Sequence, residues 1–134
     1  MKNEFIPYEQ ALELKELGYN ELCGAFYEKD LGSIYQHYAG FDIRNDDVYY
    51  NDYKLECTAP TYSQAFRWFR EKKIFGAVVP IDDWDYWGIT VLEQDCMAPF
   101  YVSYMSDMDY KEYQTYEEAE LACLKKLIET VKNK

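Results

Sequence analysis

Residues 58–73, TAPTYSQAFRWFREKK, decide the architecture, because they place a helix in the middle of a chain whose flanking stretches read as strands. Pro60 disfavours helical backbone in the residue before it, and Thr61 followed by Gln64 fits the T-x-x-Q capping box that opens a helix. At about 100° per residue, Tyr62, Ala65, Phe66 and Phe69 share one face, while Ser63, Arg67 and Arg70 lie on a polar flank. Phe69 is therefore expected in a core, Trp68 over its rim, and the two arginines outside it.

Upstream, Pro7 as a helix starter, the helix formers of YEQALELKEL and Gly18 as a stop predict a first helix with Ala11, Leu14 and Leu17 on its apolar side. LCGAFYE (22–28) reads as a strand, and the tyrosine-rich stretch up to Thr58 as one or two strands with a loop around Gly40 to Asp47. Downstream lie three short segments rich in β-branched and aromatic residues: IFGAVVP (74–80), DYWGITVLE (85–93) and APFYVSYMS (98–106). The first is apolar on both faces and predicts a central strand. The next two alternate, with Trp87, Ile89 and Val91, then Phe100, Val102 and Tyr104, facing inward. A last helix opens with the capping box Thr115 to Glu118 and carries the stripe Leu121, Leu124, Leu127, Ile128 and Val131. The expected fold is α+β: one domain over residues 1–134, three helices packed on an antiparallel sheet of about five strands, in the order αββαβββα.

At 134 residues the chain is long enough for a real core, and 49% apolar with 29% charged residues is a globular balance. The opening MKNEFIPYEQ has no apolar signal-type run, and IFGAVVPI, the longest apolar stretch, is far shorter than the roughly 20 residues a membrane helix needs. A cytoplasmic protein with no membrane partner is expected. Four widely spaced cysteines, Cys23, Cys57, Cys96 and Cys123, form no C-x-x-C pair, and His37 is the single histidine. That pattern predicts free thiols and neither a metal site nor another cofactor.

Net charge is −11, which opposes direct nucleic-acid binding. Between Ile74 and Tyr110 stand seven acids (Asp82, Asp83, Asp85, Glu93, Asp95, Asp107 and Asp109) and no lysine or arginine, so one face of the fold is expected to be strongly negative. Asp82, Asp83 and Asp85 could ligate a hard cation, but the spacing of a calcium loop is missing, and a solvated turn between strands explains them. Beside Trp84 and Trp87 the same acids form a candidate protein-binding tip, since exposed aromatics ringed by carboxylates suit a basic partner. Arg67 and Arg70, in RWFREKK, are the other candidate contact residues. Their rival reading is structural: Glu120 falls on the apolar stripe of the last helix, where a charge needs a partner, and an arginine of the middle helix could clamp it. The 15 tyrosines fit half-exposed sheet positions as well as a recognition surface.

No catalytic signature emerges. His37 has no cysteine or serine nucleophile in a recognisable context, and the six glycines form neither G-x-G-x-x-G nor a P-loop. Three segments, FIPYEQALELKELGYNE, CTAPTYSQAFRWFREKK and TYEEAELACLKKLIETVK, together resemble a group of small proteins encoded by phages, prophages and mobile elements of Bacteroidales-type gut bacteria. The resemblance implies an intracellular accessory protein of viral or mobile-element origin and transfers no catalytic residue. The function expected is protein binding by a small acidic accessory factor. The alternative is an acidic inhibitor that mimics nucleic acid and blocks a nucleic-acid-binding or defence protein, and an enzyme of unrecognised type is a third class.

Overall fold

A computed structural model describes residues 4–29, 34–36, 43–47, 49–50, 53–81, 86–94, 102–103 and 109–133. The chain is α+β, with helices at its start, middle and end: α1 (Tyr8–Glu16), α2 (Tyr62–Glu71) and α3 (Tyr116–Lys132). It divides into two compact units, Met1–Ser63 and Gln64–Lys134, each with its own antiparallel sheet. The single sheet expected from the sequence is thus replaced by two. The physical reason is that α2 and the reversal after it interrupt the strands, so pairing on each side closes locally.

In the first unit β1 (Ala25–Glu28), β2 (Ile34–Gln36), β3 (Tyr49–Tyr50) and β4 (Tyr53–Thr58) adopt the order β2-β1-β4-β3. α1 packs against β4 with Gln10, Ala11 and Leu14 buried. Pro7 occupies the N-cap in extended conformation, one position earlier than a first-turn proline, and Gly18 ends the helix at φ 101°, a left-handed value that glycine takes without strain. Phe26, Ile43 and Leu55 form the buried cluster, and the Asn45 side chain ties the unit together, donating to the Tyr19 carbonyl (2.7 Å) and accepting from the Thr58 amide (2.8 Å). The Tyr27 hydroxyl donates to the Ile6 carbonyl at 2.6 Å, which anchors the segment leading into α1.

In the second unit β5 (Ile74–Ile81) pairs along its whole length with β6 (Tyr86–Gln94), from Ile74 opposite Glu93 to Ile81 opposite Tyr86. β7 (Val102–Ser103) and β8 (Asp109–Tyr113) both pair with β6. Among the described residues β6 is therefore the central strand and β5 an edge, which corrects the reading of IFGAVVP as central. Pro80, which cannot donate to a ladder, suits an edge. Directly opposed residues point to one side, so Gly76 with Val91, Val78 with Ile89 and Pro80 with Trp87 share a face. That face carries α3, which packs on β5 and β6. The helix starts as expected: Thr115 Oγ1 accepts the Glu118 amide at 3.1 Å. Ala119, Cys123, Leu124, Leu127 and Ile128 are buried along it.

At Gly76 helix and sheet approach closely. A Cβ there would lie 2.8 Å from Cys123 Sγ and 2.8 Å from Leu127 Cδ1. α2 ends through Lys73, whose φ of 68° is left-handed, and the chain enters β5 immediately. Trp68 is buried together with Ala65 and Phe69, more deeply than a rim position. Its ring meets Phe69 edge to face at 5.1 Å, and Lys72 Nζ lies 4.4 Å from its centroid. The aromatic pair of RWFR is thus core, covered on one side by a lysine.

Candidate interaction surface

Trp87 and the start of α3 bring together an aromatic and acidic surface in the second unit. Trp87 points to the α3 side of the sheet, where its ring stands perpendicular to that of Tyr116 at 5.3 Å between centroids. Its register partner across β6 and β8 is Tyr113, which is half-buried. Tyr116 is 43% exposed, whereas Tyr86, next to Trp87 along β6, faces the other side of the sheet. An exposed tyrosine held at a helix N-terminus offers contact area at little entropy cost, since few rotors remain to be frozen.

Carboxylates surround these rings. Glu117 and Glu118 are exposed in the first turn of α3, where the helix dipole favours acids, and Glu120 is half-buried one turn further along. The dipole accounts for the first two and not for the third. Burial, followed by the neighbouring Glu117 charge, raises the Glu120 carboxyl above its ordinary value. The Tyr116 hydroxyl is raised as well, through burial first and then the charges of Glu120, Cys123 and Glu117. Among the described residues no cation contributes to either shift.

Of the residues singled out by sequence, Trp87 belongs to this surface. Asp82, Asp83, Trp84 and Asp85 lie outside the described residues, as do most of the acids between 74 and 110. Arg67 and Arg70 are exposed on α2, and among the described residues neither forms an ion pair. The clamp from an arginine to Glu120 is therefore not formed, and among the described residues the arginines pair with no carboxylate. Packing accounts for this: α3 lies on β5 and β6 through the stripe beginning at Ala119, and that leaves Glu120 at the border of the contact.

Tyr113, Tyr116 and Glu117 were not picked out by the sequence reading. The available signal was the clustering of tyrosine and glutamate at the head of a capped helix, but only the strand register shows that Trp87 joins them. The buried thiols offer little as nucleophiles: burial pushes Cys57 and Cys123 up to about 12 and raises Cys23, so all three stay protonated at neutral pH. Among the described residues no three His, Cys, Asp or Glu side chains converge as metal ligands, and no helix is long and apolar enough to cross a membrane. No family model, curated protein or solved structure matches the chain.

Proposed function

We propose that this is a cytoplasmic accessory protein of phage or mobile-element origin that acts by binding other proteins, with the surface of Trp87, Tyr116, Glu117 and Glu120 as its contact face. The observation that carries the reading is the coincidence of half-exposed aromatic rings and carboxylates that meet no cation among the described residues, on one helix-on-sheet support. A planar guanidinium satisfies both features at once, stacking on a ring while its N–H groups reach a carboxylate. The partner is accordingly a basic, arginine-bearing polypeptide segment.

Binding of a labelled oligoarginine peptide tests this directly. The intact chain should bind it in a salt-sensitive manner, and a variant carrying Tyr116→Ala with Glu117→Lys should lose that binding while keeping its helical signal. Equal binding by both would reject the surface. A second reading, mimicry of nucleic acid, draws on the net charge of −11 and the seven-acid stretch. It requires that proteins captured by the chain be released by duplex DNA, whereas an arginine-peptide site predicts release by the peptide.

A further inference from the structure

Two like-charged pairs stand in the second unit with no ion-pair partner among the described residues. Arg67 and Arg70 stand three residues apart on α2, and Glu117 and Glu120 three residues apart on α3. The same spacing on two α-helices gives the same rise, about 4.5 Å. Like charges three apart on a helix repel each other, so each pair gains from an outside counter-charge. Within the chain the two pairs do not meet: among the described residues no ion pair joins them, and no arginine acts on the Glu120 carboxyl. The acidic pair is flanked by Tyr116 and Trp87, a ring pair suited to arginine stacking.

We propose that the chain associates with a second copy of itself, the Arg67 and Arg70 pair of each copy docking on the Tyr116, Glu117 and Glu120 face of the other. Matching spacing and opposite charge make the two pairs complementary, and a two-fold pair is the commonest closed arrangement of two copies. The idea rests on the reading of the aromatic face as an arginine acceptor and adds what occupies it when no other partner is present. In the dimer the acceptor is covered, so a basic partner must displace the chain's own arginines. Contacts of this kind are partly solvent-exposed and therefore weak and salt-dependent, which suits a surface that has to be vacated.

Sedimentation velocity of the full chain over a range of salt concentrations decides the matter. A dimer should form at low salt and dissociate as salt rises. Arg67→Glu with Arg70→Glu should weaken association by at least about tenfold, and Glu117→Arg with Glu120→Arg should do the same. An equimolar mixture of those two double variants should recover a dimer, since each now supplies what the other lacks. Circular dichroism controls for folding, and Arg67, Arg70 and Glu117 are exposed, so their replacement leaves the core untouched. A wild-type chain that stays monomeric at low salt, a dimer indifferent to both reversals, or a mixture that stays monomeric would overturn the proposal. The oligoarginine experiment separates this failure from failure of the acceptor itself: the Arg67→Glu, Arg70→Glu variant keeps its acceptor and should bind the peptide at least as well as the wild type.

Discussion

Gly76 shows how much a single residue can decide in this molecule. Its backbone is ordinary extended strand, so the requirement is one of space: α3 sits so close to β5 that a methyl group would press on Cys123 Sγ and on both Leu127 methyls, at 2.8, 2.8 and 3.2 Å. Leu127 is fully buried and has little room to give way. Gly76→Ala should cost about 1–3 kcal/mol by overpacking, even though alanine alone is the better strand residue. Chemical denaturation checks the cost, and a cycle with Leu127→Val checks the cause. The valine should be less harmful in the Gly76→Ala background than in the wild type, and strict additivity would mean the strain lies elsewhere. Side chains that fill space were legible from sequence: Phe69 and Leu124 are both fully buried, as their helical phase requires. Gly76 was not, because a glycine within an apolar strand looks the same whether it bends the strand or admits a helix.

At the scale of elements, periodicity identified the three helices well, helped by local signals such as Gly18 after the first and the Thr115 side-chain cap on the last. Strand pairing was less legible because a strand's place in a sheet depends on partners far along the chain. β5 reads as central by its apolar residues, and only Pro80 betrays an edge; β8, DYKEY, has no β-branched residue at all and is fixed by its pairing with β6. The site was partly legible for the same reason: Trp87 and the arginines stand out as residue types, while the meeting of Trp87 with Tyr116 depends on register. Glu120 was recognised as misplaced on its stripe, and the structure leaves it half-buried beside Glu117 without an arginine. A carboxyl raised by burial and by a like charge holds its proton more tightly in the folded chain than in the unfolded one. Its contribution to stability is thus fully present below the ordinary value of 4.5 and is lost as pH rises from 4.5 through the raised folded value. Glu120→Gln should remove that decline, leaving the variant at least as stable as the wild type at neutral pH and relatively less favoured in acid. Denaturant midpoints measured across this range check it, and a glutamine variant less stable at neutral pH would show that the charge is compensated after all.

For the whole molecule, the division into two sheets raises the question of how the chain unfolds. Each unit has its own buried residues, Phe26, Ile43 and Leu55 in the first and Ile89, Val91, Leu124 and Leu127 in the second. A unit of either length taken alone is near the lower limit for a self-sufficient core, because so small a domain buries only about 60% of its unfolded surface. The boundary between Ser63 and Gln64 falls inside α2, whose first two residues belong to one unit and the rest to the other. Unfolding the first unit would strip α2 of its opening turn, where the Tyr62 amide is hydrogen-bonded to the Glu4 carbonyl at 3.2 Å. A helix this short cannot lose a turn cheaply, since renucleation is costly. The two units should therefore unfold in one cooperative transition. Leu55→Ala in the first and Leu127→Ala in the second each remove a buried side chain and should cost roughly 2–5 kcal/mol. Under cooperative unfolding either substitution lowers the hydrogen-exchange protection of the slowest amides in both β4 and α3 by the same amount of free energy. If Leu127→Ala loosened α3 and left β4 unchanged, the units would be independent folding domains joined by a helix, and the single-domain reading would fall.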